Sequence, residues 1–222
     1  MCGRFTSTAT PEELMSRFGI AVTQNLSPRW NVAPSQNATV IVRNGLHAEA
    51  TSALWGLPPA GGLKTFLINA RMETVCEKST FRDVFAYSRC IIVASGWYEW
   101  SAPKTPWHIQ LCNGGVMAMG GLLFCLGGQS RFVIMTSAAD GKLAEIHHRQ
   151  PLVLSAGDEA IWLDGSVDQA STLCKIAPAK WFNWYRVSSE VGKVGVDNPK
   201  LVTPLESEAV ELALTDQGEL FG

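Results

Sequence analysis

The sequence lacks the patterns that mark several common protein classes. It has no Cys-x-x-Cys pair and no cysteine–histidine spacing typical of a metal site, so its six cysteines indicate neither structural zinc nor a disulfide framework. No apolar run approaches the roughly 18 residues of a membrane span, and the N-terminus lacks the basic and apolar regions of a signal peptide. We therefore expect a soluble cytoplasmic protein with reduced thiols and with no metal or other cofactor.

Charged residues are also scarce, at 17% of the chain, and no charge-rich or Pro/Ser-rich linker interrupts it. The net charge of −2 gives no overall attraction to nucleic acid, so any such binding requires a local basic groove. Hydrophobic residues make up 46% of the sequence and include eight Trp, which is enough apolar surface for a large core. We expect a single domain over residues 1–222.

Local signals predict strands joined by tight turns, with a few helices. Thr10, Pro11 and Glu13 form a helix cap, and the helix is expected to reach Gly19. The predicted strands lie at 38–43, 90–94 and 182–187, and the predicted hairpin turns at 44–45, 113–115 and 127–130. Helices are predicted at 140–146, at 171–176 and from a cap at 155–158 to about residue 163, and loops at 30–34 and 56–62. Together they predict an α+β fold, with mostly antiparallel β-sheets curled into an open barrel-like core and helices at the periphery.

The N-terminal stretch, residues 1–5 (MCGRF), carries an unusual reactive group. Methionine aminopeptidase normally removes Met1 before a small side chain, which would leave Cys2 with a free α-amine beside its thiol. The amine titrates at about pH 7.7–8 and the thiol at about 8.5, so both are expected to react near neutral pH without help from the fold. Such a pair combines with an aldehyde, because the amine forms an imine and the thiol then closes a thiazolidine ring. An incidental cysteine is the alternative interpretation.

Glu99 stands among three aromatic residues after the apolar run 90–94. Burial there would raise its pKa toward the range that is useful for acid–base catalysis. A solvated residue at a strand end is an equally good interpretation of the same pattern. Of its neighbours, Trp97 and Trp100 suit either base stacking or the core.

Other polar residues also have structural alternatives. Asn69 and Arg71 follow the apolar run 66–68, where polar side chains often line a pocket, but composition alone favours a role for Asn69 in satisfying the backbone groups of a turn. His147 suits a loop that faces solvent, and Arg149 suits an ion pair with a surface carboxylate. These residue types therefore do not settle a function by themselves.

Five segments, in order, resemble the SOS-response-associated peptidase (SRAP) family. They are residues 1–5 (MCGRF), 30–34 (WNVAP), 69–74 (NARMET), 96–100 (GWYEW) and 146–154 (IHHRQPLVL), with a looser likeness at 191–199. In that family the processed N-terminal cysteine captures the ring-opened aldehyde of an abasic site in single-stranded DNA as a thiazolidine crosslink. The resemblance implies that Cys2 is the nucleophile of a DNA damage response protein, associated with the nucleoid if the source is bacterial.

The resemblance also implies roles for the other polar residues. Asn69 would position the amine or the opened sugar, Glu99 would shuttle protons, and His147 would assist ring opening and thiol addition. Flanking phosphates and bases would be held by Arg4, Arg71, Arg149, Trp97 and Trp100. The family name implies proteolytic removal of the residue ahead of the cysteine, and cleavage of the strand through the imine is implied as a second, lyase-type activity.

The sequence departs from the family pattern in three places. Residues 57–62 (LPPAGG) replace a tryptophan-rich loop that contacts bases at DNA junctions in many relatives. Gln150 replaces an arginine, which removes one phosphate contact, and Val196 stands where relatives often have Asn. We therefore expect the chemistry to persist with an altered preference for DNA structure.

Two other classes of function remain open at this stage. Cys2 and His147 could serve a Cys/His peptidase or amidohydrolase, although the sequence shows no third residue to orient the histidine. A single-stranded DNA binding module would use the arginines and aromatics without covalent chemistry, and the acidic balance makes that less attractive.

Overall fold

The computed structural model describes residues 2–22, 26–45, 47–59 and 65–205. Within them the strands are β1 (Arg4–Ser7), β2 (Arg29–Val32), β3 (Asn37–Asn44), β4 (His47–Trp55), β5 (Asn69–Arg71), β6 (Arg89–Ala94), β7 (Gly96–Ser101), β8 (Thr105–Leu111), β9 (Met117–Leu126), β10 (Gln129–Ala138), β11 (Arg149–Pro151) and β12 (Phe182–Arg186). The α-helices are α1 (Pro11–Phe18), α2 (Ser79–Tyr87), α3 (Leu143–Ile146), α4 (Glu159–Asp164) and α5 (Val167–Thr172). Short 3-10 helices lie at Met72–Thr74, Ala179–Trp181, Ser189–Gly192 and Pro199–Val202.

Two sheets organise the chain. The first has the strand order β12-β8-β7-β1-β2, and every pairing in it is antiparallel. In the second, β10 pairs with both β4 and β9, so β10-β4-β3-β6-β9 close into a ring, while β11 and β5 pair with β10 outside it. The parallel pairings are those of β10 with β4 and β5. The predicted α+β class with mostly antiparallel, curled sheets is confirmed.

The main core lies between the two sheets. Phe5 of β1 packs edge-on against Trp55 of β4 with ring centroids 5.1 Å apart, and Phe132 of β10 stacks against Trp55 at 6.1 Å. All three side chains are fully buried. Burial of one side chain of this size stabilises the fold by about 1.5–3 kcal/mol, so these contacts anchor the start of the chain firmly against the second sheet.

Helix α1 confirms the prediction made from its cap. The Thr10 hydroxyl accepts the amide of Glu13 at 3.2 Å, and the Glu13 carboxylate accepts the amide of Thr10 at 2.8 Å. Gly19 ends the helix at a φ of 68°, a left-handed conformation that glycine adopts without strain. No helix among the described residues is both long and apolar enough to cross a membrane.

Several predictions from the sequence were wrong, and the two that concern strands failed because local signals do not report strand pairing. The turn at 113–115 does not close a hairpin, since β8 belongs to the first sheet and β9 to the second. The predicted loop at 30–34 contributes Trp30–Val32 to β2, which pairs with β1. Helix α2 was missed, and α5 begins before the predicted 171–176 segment. Of the predicted loop at 56–62, residues 60–62 lie outside the described residues.

Candidate functional site

Cys2 lies just ahead of β1, which is sandwiched between β2 and β7. Its side chain is fully buried, and the thiol donates a weak hydrogen bond to the Arg4 carbonyl at 3.9 Å. Burial raises the pKa of the thiol far above its ordinary value, and the nearby charge of Glu99 raises it further. The expectation that this thiol ionises near neutral pH without influence from the fold is therefore wrong. At neutral pH the sulfur carries its proton.

Asn69 fixes the backbone of Cys2. Strand β5 runs parallel to β10, with Asn69 opposite Ile134, and this pairing aims the Asn69 amide at the N-terminal segment. Its Nδ2 donates to the Cys2 carbonyl at 3.0 Å. Its Oδ1 is buried and accepts no hydrogen bond from any residue that the structure describes. A buried acceptor without a donor is costly, so this oxygen is suited to receive one from a bound group.

Glu99 is held in the interior by β7. Only 4% of the residue is exposed, and desolvation raises its pKa from 4.5 to about 7. The interpretation of a buried, tuned carboxyl is thus confirmed over that of a solvated strand end. The strand begins at Gly96, where a Cβ would come within 2.6 Å of both the His108 ring and the Ile109 carbonyl. Glycine at this position therefore allows β8 to lie close against β7, the strand that carries Glu99.

His147 follows α3, and its amide donates to the Leu143 carbonyl at 3.0 Å. Its Nδ1 lies 3.9 Å from Oε1 of Glu99. Burial is the main cause that lowers the pKa of this imidazole, so the neutral ring is favoured at neutral pH. Contacts thus link Asn69 to Cys2, and electrostatic interactions link Cys2 to Glu99 and Glu99 to His147. The structure brings together all four residues that the sequence indicated as catalytic.

Glu99 is expected to make the free energy of unfolding depend on pH. Its pKa is about 7 in the folded protein and 4.5 without burial. Between these values the folded state keeps a proton that the unfolded state has lost, so this group's contribution to stability falls as the pH rises from about 4.5 to about 7. Relative to wild type, Glu99→Gln should gain up to about 3 kcal/mol between pH 4 and pH 8.

Urea unfolding of both proteins at the two pH values measures this change. The Gln side chain has nearly the same shape and cannot ionise, which isolates the charge. An unchanged difference between variant and wild type at the two pH values would contradict a raised pKa for Glu99.

The predicted phosphate-binding arginines differ in exposure. Arg71 is exposed at the end of β5, and Arg4 is half-buried, with Nη1 donating to the Gly3 carbonyl at 2.9 Å. Arg149 is buried and its guanidinium is engaged by Glu73 and by the carbonyl of Thr136. In this conformation Arg4 and Arg71 can face a ligand from solution, whereas Arg149 serves contacts within the protein.

The two tryptophans also differ. Trp97 is buried and meets Phe182 edge-on at 5.1 Å, so its ring belongs to the core between the sheets and a base cannot reach it in this conformation. Trp100 is half-buried and packs against a small cluster around Tyr98 and Tyr185. Trp100 is therefore the better placed of the two for contact with a ligand.

Gln150 corrects one inference from the sequence. The residue is only 1% exposed, its Nε2 donates to the Ala177 carbonyl at 2.8 Å, and its Oε1 accepts the Asp140 amide at 3.1 Å. A side chain at this position points inward. The replacement of an arginine by Gln150 is therefore no evidence for a lost phosphate contact.

Sequence reasoning missed two supports of the site. Asn31 donates to the carbonyls of Val191, Lys193 and Val196, which fastens the 30–34 motif to the 191–199 segment. Glu73, in the 69–74 motif, holds Arg149. The motifs themselves were the available signal, since each carries at least one polar residue to which no role had been given.

Comparisons with known proteins show which family this chain resembles. The family model "SOS response associated peptidase (SRAP)" matches residues 1–194. The abasic site processing protein YedK of Escherichia coli is 31% identical over 222 residues, covering 92% of this chain and 100% of that protein. YoqW of Bacillus subtilis, also named an abasic site processing protein, is 32% identical and covers 91% of this chain and 99% of that protein.

Solved structures show the same fold. A protein from Bacteroides thetaiotaomicron has a TM-score of 0.79 at 22% identity, covering 92% of this chain and 100% of that one. A phage-related protein from Bordetella bronchiseptica has a TM-score of 0.73 at 26% identity, covering 84% of this chain and 94% of that one. From the family model and from relatives above 30% identity over nearly its whole length, this chain belongs to the SOS response associated peptidase (SRAP) family.

Proposed function

We propose that this protein processes abasic sites in single-stranded DNA by forming a covalent thiazolidine link through Cys2. The observation that carries the proposal is the placement of Cys2, fixed by Asn69 and coupled to a carboxyl with a pKa of about 7. The names of the relatives support the choice of substrate, since YedK and YoqW are both called abasic site processing proteins. The same chemistry gives the chain a role in the repair of damaged DNA.

The first step is attack by the α-amine of Cys2 on the aldehyde of the ring-opened sugar. The sugar ring opens as the proton of its hemiacetal hydroxyl moves to the ring oxygen, helped by a hydrogen bond that the neutral His147 ring donates to that oxygen, and loss of one water then gives the imine. Glu99 serves this step in both of its forms, because a group with a pKa of about 7 holds and releases protons readily at neutral pH. Cys2 cannot begin the reaction through its sulfur, since its thiol is protonated.

The second step closes the ring. The Cys2 sulfur adds to the imine carbon, and the thiol proton passes to the Glu99 carboxylate, which delivers it to the former imine nitrogen. The imine bond becomes a single bond, no atom leaves, and a five-membered thiazolidine results. Holding the amine, thiol and aldehyde together makes both steps effectively intramolecular, which can lower the barrier by roughly 7–11 kcal/mol.

A free amine at Cys2 is a requirement of this mechanism. In the encoded chain the nitrogen of Cys2 is joined to Met1 in an amide, which cannot form an imine. We include removal of Met1, by the protein itself or by an aminopeptidase, in the proposed function. Strand cleavage by elimination from the imine is the lyase-type side reaction that the same intermediate permits.

DNA contacts in the proposal fall to groups that solvent can reach. Arg71 is exposed, Arg4 is half-buried beside Cys2, and Trp100 is half-buried on the strand of Glu99. Because the overall charge of −2 does not attract DNA, the electrostatic attraction for DNA phosphates comes from these arginines. A Cys/His hydrolase is less well supported, because that chemistry needs an ionisable thiol and burial raises the pKa of Cys2.

The test compares the protein with a free α-amine at Cys2 and the same protein with that amine blocked. A fusion tag that ends immediately before Cys2 is either left in place or removed by a protease, so the folded chain is the same and only the α-amine differs. Each form is incubated with a single-stranded oligonucleotide that carries one abasic site, and with its duplex counterpart, and separated on a denaturing gel. The released form should give a shifted band without borohydride and the tagged form should give none.

Equal bands from both forms would show that the amine is not the nucleophile. No band from the released form would overturn the proposed function. A stronger band on the duplex than on the single strand would overturn the assignment to single-stranded DNA.

A further inference from the structure

A clamp formed by Glu73, Arg149 and Thr136 lies next to the site. The site residues are Cys2, Asn69, Glu99 and His147. Nη1 and Nη2 of Arg149 donate to the two carboxylate oxygens of Glu73 at 2.6 and 2.9 Å. Nη2 also donates to the Thr136 carbonyl at 2.6 Å. Paired hydrogen bonds between two charged groups fix direction as well as distance. The pKa of Glu73 is lowered by this contact, so its carboxylate is charged at neutral pH.

The clamp joins three parts of the fold. Glu73 lies in the 3-10 helix that follows β5, Thr136 lies on β10, and Arg149 begins β11. Strand β11 is only three residues long and stands at the end of the strand order, with Ala138 opposite Arg149. A short edge strand has few bonds of its own to hold it. The Arg149 side chain therefore adds to the strand pairing in fixing the position of the Arg149 backbone.

That backbone faces His147. Nδ1 of His147 lies 3.0 Å from the Arg149 amide nitrogen and 3.2 Å from the Arg149 carbonyl oxygen. An amide N–H can only donate and a carbonyl oxygen can only accept, so the two contacts require opposite states of Nδ1. In the neutral ring the shorter contact leaves Nδ1 as the acceptor, and the proton then resides on Nε2. Release of the Arg149 amide would favour the other tautomer, with Nδ1–H donating to the carbonyl.

We propose that Glu73 is a positioning residue that holds the Arg149 amide against Nδ1 of His147 and so keeps the ring proton on Nε2. The inference deepens the proposed function, because a fixed Nε2–H lets the neutral His147 ring donate a hydrogen bond to the sugar ring oxygen when the ring opens. The Glu73 carboxylate accepts hydrogen bonds from the Arg149 guanidinium. Its effect passes through the Arg149 side chain to the Arg149 amide.

The test reads the tautomer directly, without DNA. Two-bond ¹H–¹⁵N correlation spectra of ¹⁵N-labelled protein at pH 8 distinguish the two neutral tautomers of each imidazole. The chain has four histidines, and the signals of His147 are those that vanish in His147→Gln. Wild-type protein should show the Nε2–H form. In Glu73→Gln the ratio of Nδ1–H to Nε2–H should rise about fivefold, the factor that corresponds to the loss of one ordinary hydrogen bond.

Glu190→Gln is the matched control. Glu190 is exposed and lies 3.6 Å from Lys193 on a separate 3-10 helix, so the same change of charge there should leave the His147 tautomer unaltered. A major Nδ1–H form in the wild type would overturn the proposal whether or not Glu73→Gln folds. An unchanged tautomer in folded Glu73→Gln would overturn it even if DNA capture slowed. If wild-type protein captured no abasic DNA, the proposed function would fail while the tautomer result would stand.

Discussion

Cys2→Ser should form an imine with abasic DNA but no crosslink that survives denaturation. Serine keeps the α-amine and removes the sulfur, so the first step proceeds and the ring closure that makes the product stable does not. The yield of crosslink without borohydride should fall by about 100-fold or more, because the effective molarity of a held thiol is lost. Borohydride added during the reaction should restore a band by reducing the imine. Denaturing gels of processed protein, with and without the reductant, measure both quantities.

Cys112→Ser is the control for this substitution. Cys112 is exposed, on the turn after β8, so the same change of sulfur to oxygen there should leave the crosslink intact. A stable band from Cys2→Ser equal to that of wild type would show that another residue holds the DNA. Absence of a band from Cys2→Ser even with borohydride would remove the amine from the mechanism.

Glu99→Gln should slow crosslink formation by roughly 100-fold or more, within the range of general acid–base catalysis. Gln cannot accept the thiol proton, and the Cys2 thiol, whose pKa burial raises, cannot lose that proton unaided. The wild-type rate should change most steeply near pH 7, where Glu99 titrates, and the variant should lose this dependence. Single-turnover rates of capture between about pH 5.5 and pH 8.5 measure both effects.

Glu77→Gln is the matched control, since Glu77 is exposed and precedes α2. A wild-type rate that does not vary between these pH values would contradict the proposed role of Glu99. So would a variant that keeps the wild-type profile at a uniformly lower rate.

The features that could be predicted from the sequence are those decided by neighbours in the chain. The cap of α1 involves Thr10 and Glu13, three residues apart, and the burial of Glu99 was suggested by its aromatic neighbours. Features set by distant segments could not be predicted. A turn at 113–115 is compatible both with a hairpin and with a crossing from one sheet to the other. Only the observed strand pairing, such as that of β8 with β12, shows that β8 and β9 belong to different sheets.

In the site, too, local features could be predicted from the sequence and features set by distant segments could not. Its four central residues were found because each lies in a motif, but the state of the Cys2 thiol was mispredicted. The low-dielectric surroundings that raise its pKa come from strands such as β4, β6 and β9, which are distant in sequence. The link from Glu73 to Arg149 spans 76 positions and gives no local signal. The family resemblance therefore assigned Arg149 to phosphate binding, whereas the structure pairs it with Glu73.

The composition of the crosslinked peptide tests the central proposal most directly. Processed protein is allowed to capture an abasic oligonucleotide, both components are digested, and the adduct is identified by mass spectrometry. We predict that the DNA fragment is attached to the peptide that begins with Cys2, at the sum of the two masses less one water, and that no borohydride is needed. An adduct on any other peptide, or a Cys2 peptide that still carries Met1 in the adduct, would contradict the proposed function.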